Sequence, residues 1–128
     1  MAVETEDKEL PLDAATRGVA ALFTYPERGF YLVAESGGVV VGSLMITTEW
    51  SDWRNGMFWW VQSVYVRPEA RRQGIYRALY EYVRQKASAT ADVCGIRLYV
   101  ERENTGAQRV YETLGMQPTS YRLYEELL

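Results

Sequence analysis

The sequence contains no histidine, a single cysteine and only two lysines among its 128 residues. Without histidine, a protein zinc site is not expected, and hydrolysis by a serine, cysteine or metal centre that depends on histidine is excluded. The lone Cys94 permits no intrachain disulfide, which favours a reducing compartment, and we expect a cytoplasmic protein. No apolar run approaches the roughly 18 residues that cross a bilayer, so no membrane partner is expected.

The net charge of −3 arises entirely in the first nine residues, which hold four acids and one lysine. We expect residues 1–9 to form a disordered acidic tail and residues 10–128 to form a single domain. Nucleic-acid binding is disfavoured by the isoelectric point of about 5.0 and the scarcity of lysine. Twelve of the 14 basic residues are arginines, and only Glu69 opposes the local group Arg67, Arg71, Arg72 and Arg77. Forked arginine donors suit phosphate, so this group favours an anion site, with a solvated helix face as the alternative.

Local patterns predict the element order α-β-β-β-α-β-α-β. Asp13 is predicted to cap a first helix that ends near Tyr25-Pro26. Strands are predicted over 30–35, 39–47, 57–66 and 96–101, with a closing strand over 121–125. Turns are predicted at 36–38 and in a loop over 49–56, and the later helices run from 75 towards 86 and from the cap Asn104 to Gly115. The strand–helix–strand crossover favours a parallel pair within a mixed sheet.

A candidate phosphate site follows the third strand, where Arg71-Arg72-Gln73-Gly74-Ile75-Tyr76 opens a helix. The amide hydrogens of a first helical turn lack partners within the helix, and the helix dipole favours negative charge there. Gly74 allows a bulky diphosphate to approach the backbone. No known nucleotide-binding glycine motif is present, so this segment alone is weak evidence, and a plain strand-to-helix turn is the favoured explanation of it.

A second segment, Glu103 to Met116, supports the interpretation of the first one as a phosphate site. Together they resemble the GNAT superfamily of acetyl-CoA-dependent N-acetyltransferases, whose signatures are [QR]-x-x-G-x-[GA] and, downstream, E-N-x-x-A-x-x-x-Y-x-x-L-G-F. The downstream pattern matches at every defined position except Met116, which stands in place of phenylalanine. The upstream pattern matches at Arg71 and Gly74, whereas Tyr76 replaces a small residue, a change that is tolerable if its side chain points outward.

The resemblance implies a mixed α/β (α+β) fold, in which a mostly antiparallel sheet holds a central parallel strand pair that splays open, flanked by helices. It also implies that the strand before the loop offers backbone groups to the pantetheine arm of acetyl-CoA, that backbone amides of the loop hold the diphosphate, and that Asn104 bonds the arm. The corresponding cofactor-binding residues are Val64, Tyr65, Val66, Arg71, Arg72, Gln73, Gly74, Ile75, Tyr76, Arg77 and Asn104. An N-cap role is the alternative for Asn104.

Tyr111 is, by the same resemblance, the general acid near the cofactor sulfur, with a purely structural role in the core as the alternative. Many family members carry a glutamate base at the position of Gln62, which cannot accept a proton at useful pH. We favour Glu49 and Asp52 as catalytic carboxylates, with Glu101 as an alternative. The reason is that four tryptophans surround them in the sequence, and indole faces suit a cationic amine. These tryptophans, Trp50, Trp53, Trp59 and Trp60, also suit a core or a dimer contact.

We therefore expect an enzyme that moves an acetyl group from acetyl-CoA to a primary amine of a small molecule or peptide, without a metal. The competing hypothesis is a module that binds acyl-CoA or another ligand without turnover. Family members usually begin with a strand that residues 1–9 do not resemble. Its loss would expose a sheet edge, so a homodimer is predicted.

Overall fold

The computed structural model describes residues 12–128, and their side chains from residue 16 onward. The predicted acidic tail and the side chain of Asp13 lie outside the described residues. The helices are α1 (Leu12–Thr24), α2 (Ile75–Ser88) and α3 (Thr105–Thr113), and the strands are β1 (Gly29–Ser36), β2 (Val39–Ser51), β3 (Gly56–Val66) and β4 (Val93–Leu98). In this part of the chain no helix is long and apolar enough to cross a membrane.

The four strands form one sheet in the order β1-β2-β3-β4. The first three strands pair antiparallel, and β3 pairs parallel with β4 across the crossover helix α2. The β1–β2 hairpin turns at Gly37 and Gly38, whose φ angles of 59° and 80° are both left-handed. A two-residue turn of this kind matches the twist of the flanking strands. The mixed sheet with its parallel pair confirms the predicted fold class.

The two faces of the sheet have different roles. The inner face, which α2 covers, carries the buried side chains of Leu44, Ile46, Trp59 and Val61, packed against Leu79, Val83 and Ala87 of the helix. Burial of each large aliphatic side chain contributes roughly 1.5–3 kcal/mol. The outer face is the opposite one, and α1 lies over its β1 end, where Phe23 contacts Tyr31 with ring centroids 5.5 Å apart. The core therefore lies between the sheet and α2.

The β2–β3 hairpin is longer than predicted. Its ladder continues through Glu49↔Phe58 to Ser51↔Gly56, so the predicted loop over 49–56 is wrong and the turn is limited to residues 52–55. Asn55, with a φ of 43°, supplies the left-handed residue of this turn. The polar residues Glu49 and Ser51 suggested a loop, but they occupy outward positions of a strand, where polar side chains are tolerated.

Two further strand predictions are wrong. The fourth strand covers Val93–Leu98 instead of 96–101, because the chain loses its ladder with β3 after Leu98. The predicted closing strand over 121–125 is not formed: this segment has no regular structure, and Tyr121, Leu123 and Tyr124 are exposed. Alternating apolar residues favour a strand only where a neighbouring strand accepts the backbone hydrogen bonds.

Candidate active site

A gap opens between the two parallel strands. Their ladder runs from Met57↔Val93 to Val61↔Leu98 and then stops. Beyond this point β3 continues to Val66, paired with β2 alone, whereas β4 has ended. The backbone edge of β3 that faced β4 is therefore open from Gln62 onward. An open backbone edge is where an extended ligand can add hydrogen bonds as a strand would.

A β-bulge lies at the start of this gap. The register passes from Met45↔Gln62 to Ser43↔Tyr65, so β3 has one extra residue opposite Leu44. Ser63 takes a left-handed φ of 52°, and Val64 then packs against the inner core. A bulge bends its strand and increases the local twist. It therefore explains why β3 diverges from β4 here.

After the bulge, successive residues of β3 direct their backbone N–H and C=O groups alternately towards β2 and towards the gap. The N–H of Arg67 donates to the carbonyl of Val41 on β2, at 2.8 Å. Because successive residues of a strand point their backbone groups to opposite edges, Tyr65 also faces β2 and Val66 faces the gap. The carbonyl of Val66 accepts a hydrogen bond from Nε of Arg71, at 2.9 Å. Arg71 thus lies at the open edge of β3.

The first turn of α2 follows directly. Gly74 precedes the helix with a left-handed φ of 78°, and no side chain caps the helix at this residue. A Cβ placed on Gly74 would meet nothing within 4 Å, so the space in front of the turn is open. An uncapped helix start with open space before it suits an anion, because its first N–H groups point outward. This is the turn that the sequence predicted as the phosphate site.

The arginines around this turn are not equivalent. Arg67 forms an ion pair with Glu69 at 3.6 Å, and Arg71 holds the carbonyl of Val66. Arg72 and Arg77 are exposed, and neither forms an ion pair with a residue of the described chain. Two positive charges therefore remain beside the helix start, where they would attract a diphosphate.

Helix α3 begins at the other side of the gap. The side chain of Asn104 accepts a hydrogen bond from the N–H of Ala107 at 3.1 Å, so Asn104 is the N-cap of α3. Gln108 donates to the carbonyls of Glu101 and Arg102, which holds the connection from β4 against the helix. The amide nitrogen of Asn104 is not used by the cap.

Tyr111 on α3 lies against the first turn of α2. Its ring meets the ring of Tyr76 edge-on, with centroids 5.8 Å apart, and the hydroxyl of Tyr76 is buried without a hydrogen-bond partner among the described residues. The Tyr76 side chain therefore packs inward, and the expectation that it points outward is wrong. Burial raises the pKa of Tyr111, and burial together with the nearby Tyr111 and Tyr80 raises the pKa of Tyr76 well above its ordinary value. Both phenols therefore keep their protons at neutral pH.

The two favoured carboxylates lie away from this end of the sheet. Glu49 pairs with Phe58, three residues or about 10 Å before the end of the β3–β4 ladder at Val61. Its Oε1 accepts from the indole of Trp60 at 3.2 Å and from Arg97 at 3.1 Å. Asp52 is farther still, in the exposed hairpin turn. The structure brings Tyr111 and the phosphate turn together, but not Asp52.

The outer face next to the gap carries two contacts that the sequence did not predict, and they bring in Tyr99 and Thr47. The rings of Trp60 and Tyr99 stack with centroids 4.5 Å apart, and Gln62 donates to the hydroxyl of Thr47 at 2.5 Å. The alternation of the sequence contained this signal, because Trp60 on β3 and Tyr99, the residue after β4, each directly follow or precede a core residue. The tryptophans near Glu49 and Asp52 take different positions. Trp59 lies in the inner core, as the core alternative predicts, whereas Trp60 lies on the outer face and donates to Glu49, and Trp53 is 83% exposed.

Comparison with known proteins agrees with this geometry. The profile of the acetyltransferase (GNAT) family matches residues 2–116. The chain belongs to the GNAT acetyltransferase family. No curated protein sequence matches it. Within the described part of the chain, no cluster of histidine, cysteine, aspartate or glutamate could hold a metal ion.

Solved structures share this GNAT fold. A possible acetyltransferase from Clostridium difficile 630 is similar, with 46% identity, a TM-score of 0.92, and coverage of 99% of this chain and 84% of that one. An integron cassette protein from the mobile metagenome of Cole Harbour Salt Marsh has 27% identity and a TM-score of 0.78, over 93% and 72% of the two chains. AAC(6')-Iy, solved with the bisubstrate analogue CoA-S-monomethyl-acetylneamine, has 17% identity and a TM-score of 0.76, over 92% and 81%. The last likeness shows the fold alone.

Proposed function

We propose that this GNAT protein is an N-acetyltransferase that moves the acetyl group of acetyl-CoA to a primary amine of a small molecule or peptide. The observation that carries the proposal is the divergence of β3 and β4 after Val61 and Leu98, directly beside the uncapped, open start of α2. The gap suits an extended arm, and the helix start suits a diphosphate. These are the two parts of coenzyme A that a protein must hold.

The residues present fit this cosubstrate. When bound, acetyl-CoA supplies an acetyl thioester. The N–H groups of the first turn of α2, with Arg72 and Arg77 beside them, would hold the diphosphate. The open edge of β3, at the backbone of Val64 and the N–H of Val66, would hold the arm. The other proposed contacts are Tyr65, Arg71, Gln73, Gly74, Ile75, Tyr76 and Asn104. Backbone N–H groups near Val64 would polarise the thioester carbonyl.

The reaction forms a nitrogen–carbon bond, breaks the carbon–sulfur bond and removes one proton from the amine. An alkylamine with a pKa near 10.4 is mostly protonated at neutral pH, and its deprotonation costs roughly 5 kcal/mol at pH 7. A base, a water chain or desolvation of the ammonium group would offset this cost. Glu49 and Asp52 remain the proposed bases. Both hydrogen bonds of Glu49 involve Oε1, and Oε2 is the atom that would accept a proton through water.

Tyr111 is proposed to donate a hydrogen bond to the departing sulfur. Its pKa is raised by burial, so the phenol keeps its proton throughout the neutral range. A thiol has an ordinary pKa of about 8.5, so complete proton transfer from the phenol to the thiolate is uphill. The contribution of Tyr111 is therefore a hydrogen bond that strengthens as charge develops on sulfur, and it is moderate in size.

A binding module without turnover is the second candidate. The observation that favours it is Gln62, whose amide donates to Thr47 at a position where many GNAT members carry a glutamate. Such a module would bind coenzyme A and release no thiol. A homodimer stays part of the proposal, since β1 is an edge of the sheet that the described residues form. A cytoplasmic location also stays part of it, since a lone cysteine favours a reducing compartment. A monomeric mass at micromolar concentration would contradict the dimer.

The test is release of free thiol from acetyl-CoA in the presence of a panel of amines: an alkylamine, an arylalkylamine, a polyamine, an aminoglycoside and a short peptide. The proposal predicts amine-dependent release with formation of the N-acetyl product. Binding of coenzyme A without release with any amine would favour the module. Absence of both binding and release would overturn both candidates.

A further inference from the structure

The two sides of the gap are covered differently. On the inner face, Tyr76 of α2 and Tyr111 of α3 meet across the space beside it. On the outer face, α1 lies over β1 through Phe23 and Tyr31, away from β3 and β4. If the thioester lies in the gap, as proposed above, an amine reaches it from the outer face. The side chains there would select the acceptor.

An aromatic platform borders the gap on this face. Tyr99 directly follows the last residue of β4, and its ring stacks on Trp60 with an interplanar angle of 27°. Tyr99 is 59% exposed, whereas Trp60 is half-buried, so one ring face is supported from below and the pair presents a flat surface to solvent. Aromatic side chains pair best with flat rings in offset-stacked or edge-on contact.

The charge of the carboxylate beside this platform is already balanced by a cation of the same chain. Glu49 forms an ion pair with Arg97 at 3.1 Å and also accepts from the indole of Trp60. The guanidinium of Arg97 in turn lies 3.5 Å from the ring centroid of Phe58. These contacts hold the guanidinium of Arg97 in place. Because the Glu49–Arg97 pair carries no net charge, it does not attract a polycation. Gln62 and Thr47, which hydrogen-bond to each other on the same face, are uncharged.

We infer that the acceptor is a primary amine carried on an aromatic ring system, which stacks on Tyr99 while its amine reaches the gap. This inference rests on the proposed function and narrows its substrate class: recognition is by ring stacking, not by ion pairs to a polycation. Tyr99 is then a specificity-determining residue. Trp60 fixes its orientation, and the Glu49–Arg97 pair fixes Trp60.

The experiment compares three amines under saturating acetyl-CoA: 2-phenylethylamine, 2-cyclohexylethylamine and spermidine. The cyclohexyl compound is at least as apolar as the phenyl compound but not flat, so a preference for the phenyl compound separates stacking from plain burial. We expect kcat/KM for 2-phenylethylamine to exceed both others by about tenfold, in line with the energies of aromatic pairs. Tyr99→Ala should raise KM for 2-phenylethylamine about tenfold with kcat within about twofold, whereas Tyr99→Phe should keep the wild-type KM.

Tyr82→Ala is the matched control, because Tyr82 is a 49% exposed tyrosine on α2 outside the proposed site, and it should leave all three amines unchanged. A preference for spermidine, equal values for the phenyl and cyclohexyl compounds, or a Tyr99→Ala effect shared by all amines would overturn the inference while leaving acetyl transfer intact.

A second measurement tests the aromatic binding site independently of acetyl transfer. Calorimetric titration of 2-phenylethylamine into the protein with coenzyme A bound should show binding that Tyr99→Ala weakens about tenfold. Such binding without any thiol release would support the aromatic site and contradict the proposed enzyme. Absence of this binding would contradict the aromatic site, whatever the enzyme does with other amines.

Discussion

The ring of Tyr76 meets the ring of Tyr111 at an angle of 64°, with centroids 5.8 Å apart. Tyr76 is the second residue of α2, just after the proposed phosphate turn, and Tyr111 is the proposed acid on α3. The contact therefore links the two helices that follow the diverging strands. Arg84 of α2 reinforces this link by donating to the carbonyl of Leu114 at the end of α3.

Replacing Tyr76 with phenylalanine should stabilise the free protein. The Tyr76 hydroxyl is buried without a partner in the described chain, and such a group costs about 1–3 kcal/mol. Phenylalanine keeps the ring contact and removes this cost, so chemical denaturation should show a larger free energy of unfolding. Tyr82→Phe, at an exposed site, is the control and should change nothing. Equal or lower stability of Tyr76→Phe would show that the hydroxyl has a partner in solution.

The same variant should change the alkaline limit of stability. The pKa of Tyr76 is raised above its ordinary 10.0, so above pH 10 the unfolded chain loses a proton that the folded protein keeps. Stability then falls by up to about 1.4 kcal/mol per pH unit for this one group. Tyr76→Phe lacks this group, and its free energy of unfolding should fall less steeply between pH 10 and 11. Parallel curves for the two proteins would contradict the raised pKa.

Tyr111→Phe tests the proposed acid. Because the hydrogen bond to the sulfur strengthens only as the bond to carbon breaks, kcat should fall by about 10- to 100-fold, towards the low end of acid catalysis. The dissociation constant for coenzyme A should stay within about twofold, since the ring and its contact with Tyr76 remain. Steady-state kinetics and calorimetry measure the two quantities. An unchanged kcat would remove Tyr111 from the mechanism.

Gln62→Glu should raise activity. Gln62 faces Thr47 on the outer face beside the gap, and the threonine hydroxyl, which now accepts a hydrogen bond, can turn to donate to a carboxylate. The variant would supply a base where many GNAT members have one. We expect kcat/KM at pH 7 to rise about tenfold or more. Gln62→Met, of similar volume and without proton-accepting ability, is the control, and a rise in both variants would exclude a base effect.

Glu49→Gln and Asp52→Asn test the proposed bases. If Glu49 accepts the proton through water, Glu49→Gln should lower kcat/KM at pH 7 by about 100-fold, while Asp52→Asn, in the distant turn, should lower it less. The glutamine can still accept from the Trp60 indole, so the platform should persist, as near-ultraviolet circular dichroism would show. Loss of activity in Asp52→Asn alone would reverse the assignment. Full activity in both variants would mean that neither carboxylate is the base and that the amine binds in its neutral form.

Much of the fold was predictable because its signals are local. The Gly37-Gly38 turn, the Asn104 cap and the left-handed Gly115 after α3 each depend on a few neighbouring residues. The family motifs placed Gly74 and Tyr111 at the two helices that border the gap. These features follow from backbone chemistry that one residue type supplies best.

The remaining features depend on contacts between distant segments. Ser63 gives no sequence sign of a bulge, because its left-handed backbone is imposed by the ladder with β2. The side chain of Tyr76 turns inward because α3 provides Tyr111 as a partner. The engagement of Glu49 by Arg97 joins residues 48 positions apart. The bulge and the Glu49–Arg97 pair follow from strand register, and the Tyr76–Tyr111 contact follows from how two helices pack, neither of which a single sequence specifies strongly.

The central claim is that the turn before α2 holds the diphosphate of coenzyme A, and calorimetric titration of coenzyme A into Gly74→Asp and Gly74→Asn tests it most directly. Both side chains tolerate the left-handed φ of 78° and occupy the same open space, and they differ only in charge. The account predicts saturable binding to the wild-type protein and at least about tenfold weaker binding to the aspartate variant than to the asparagine variant. No binding to the wild-type protein, or equal affinity of the two variants, would contradict it.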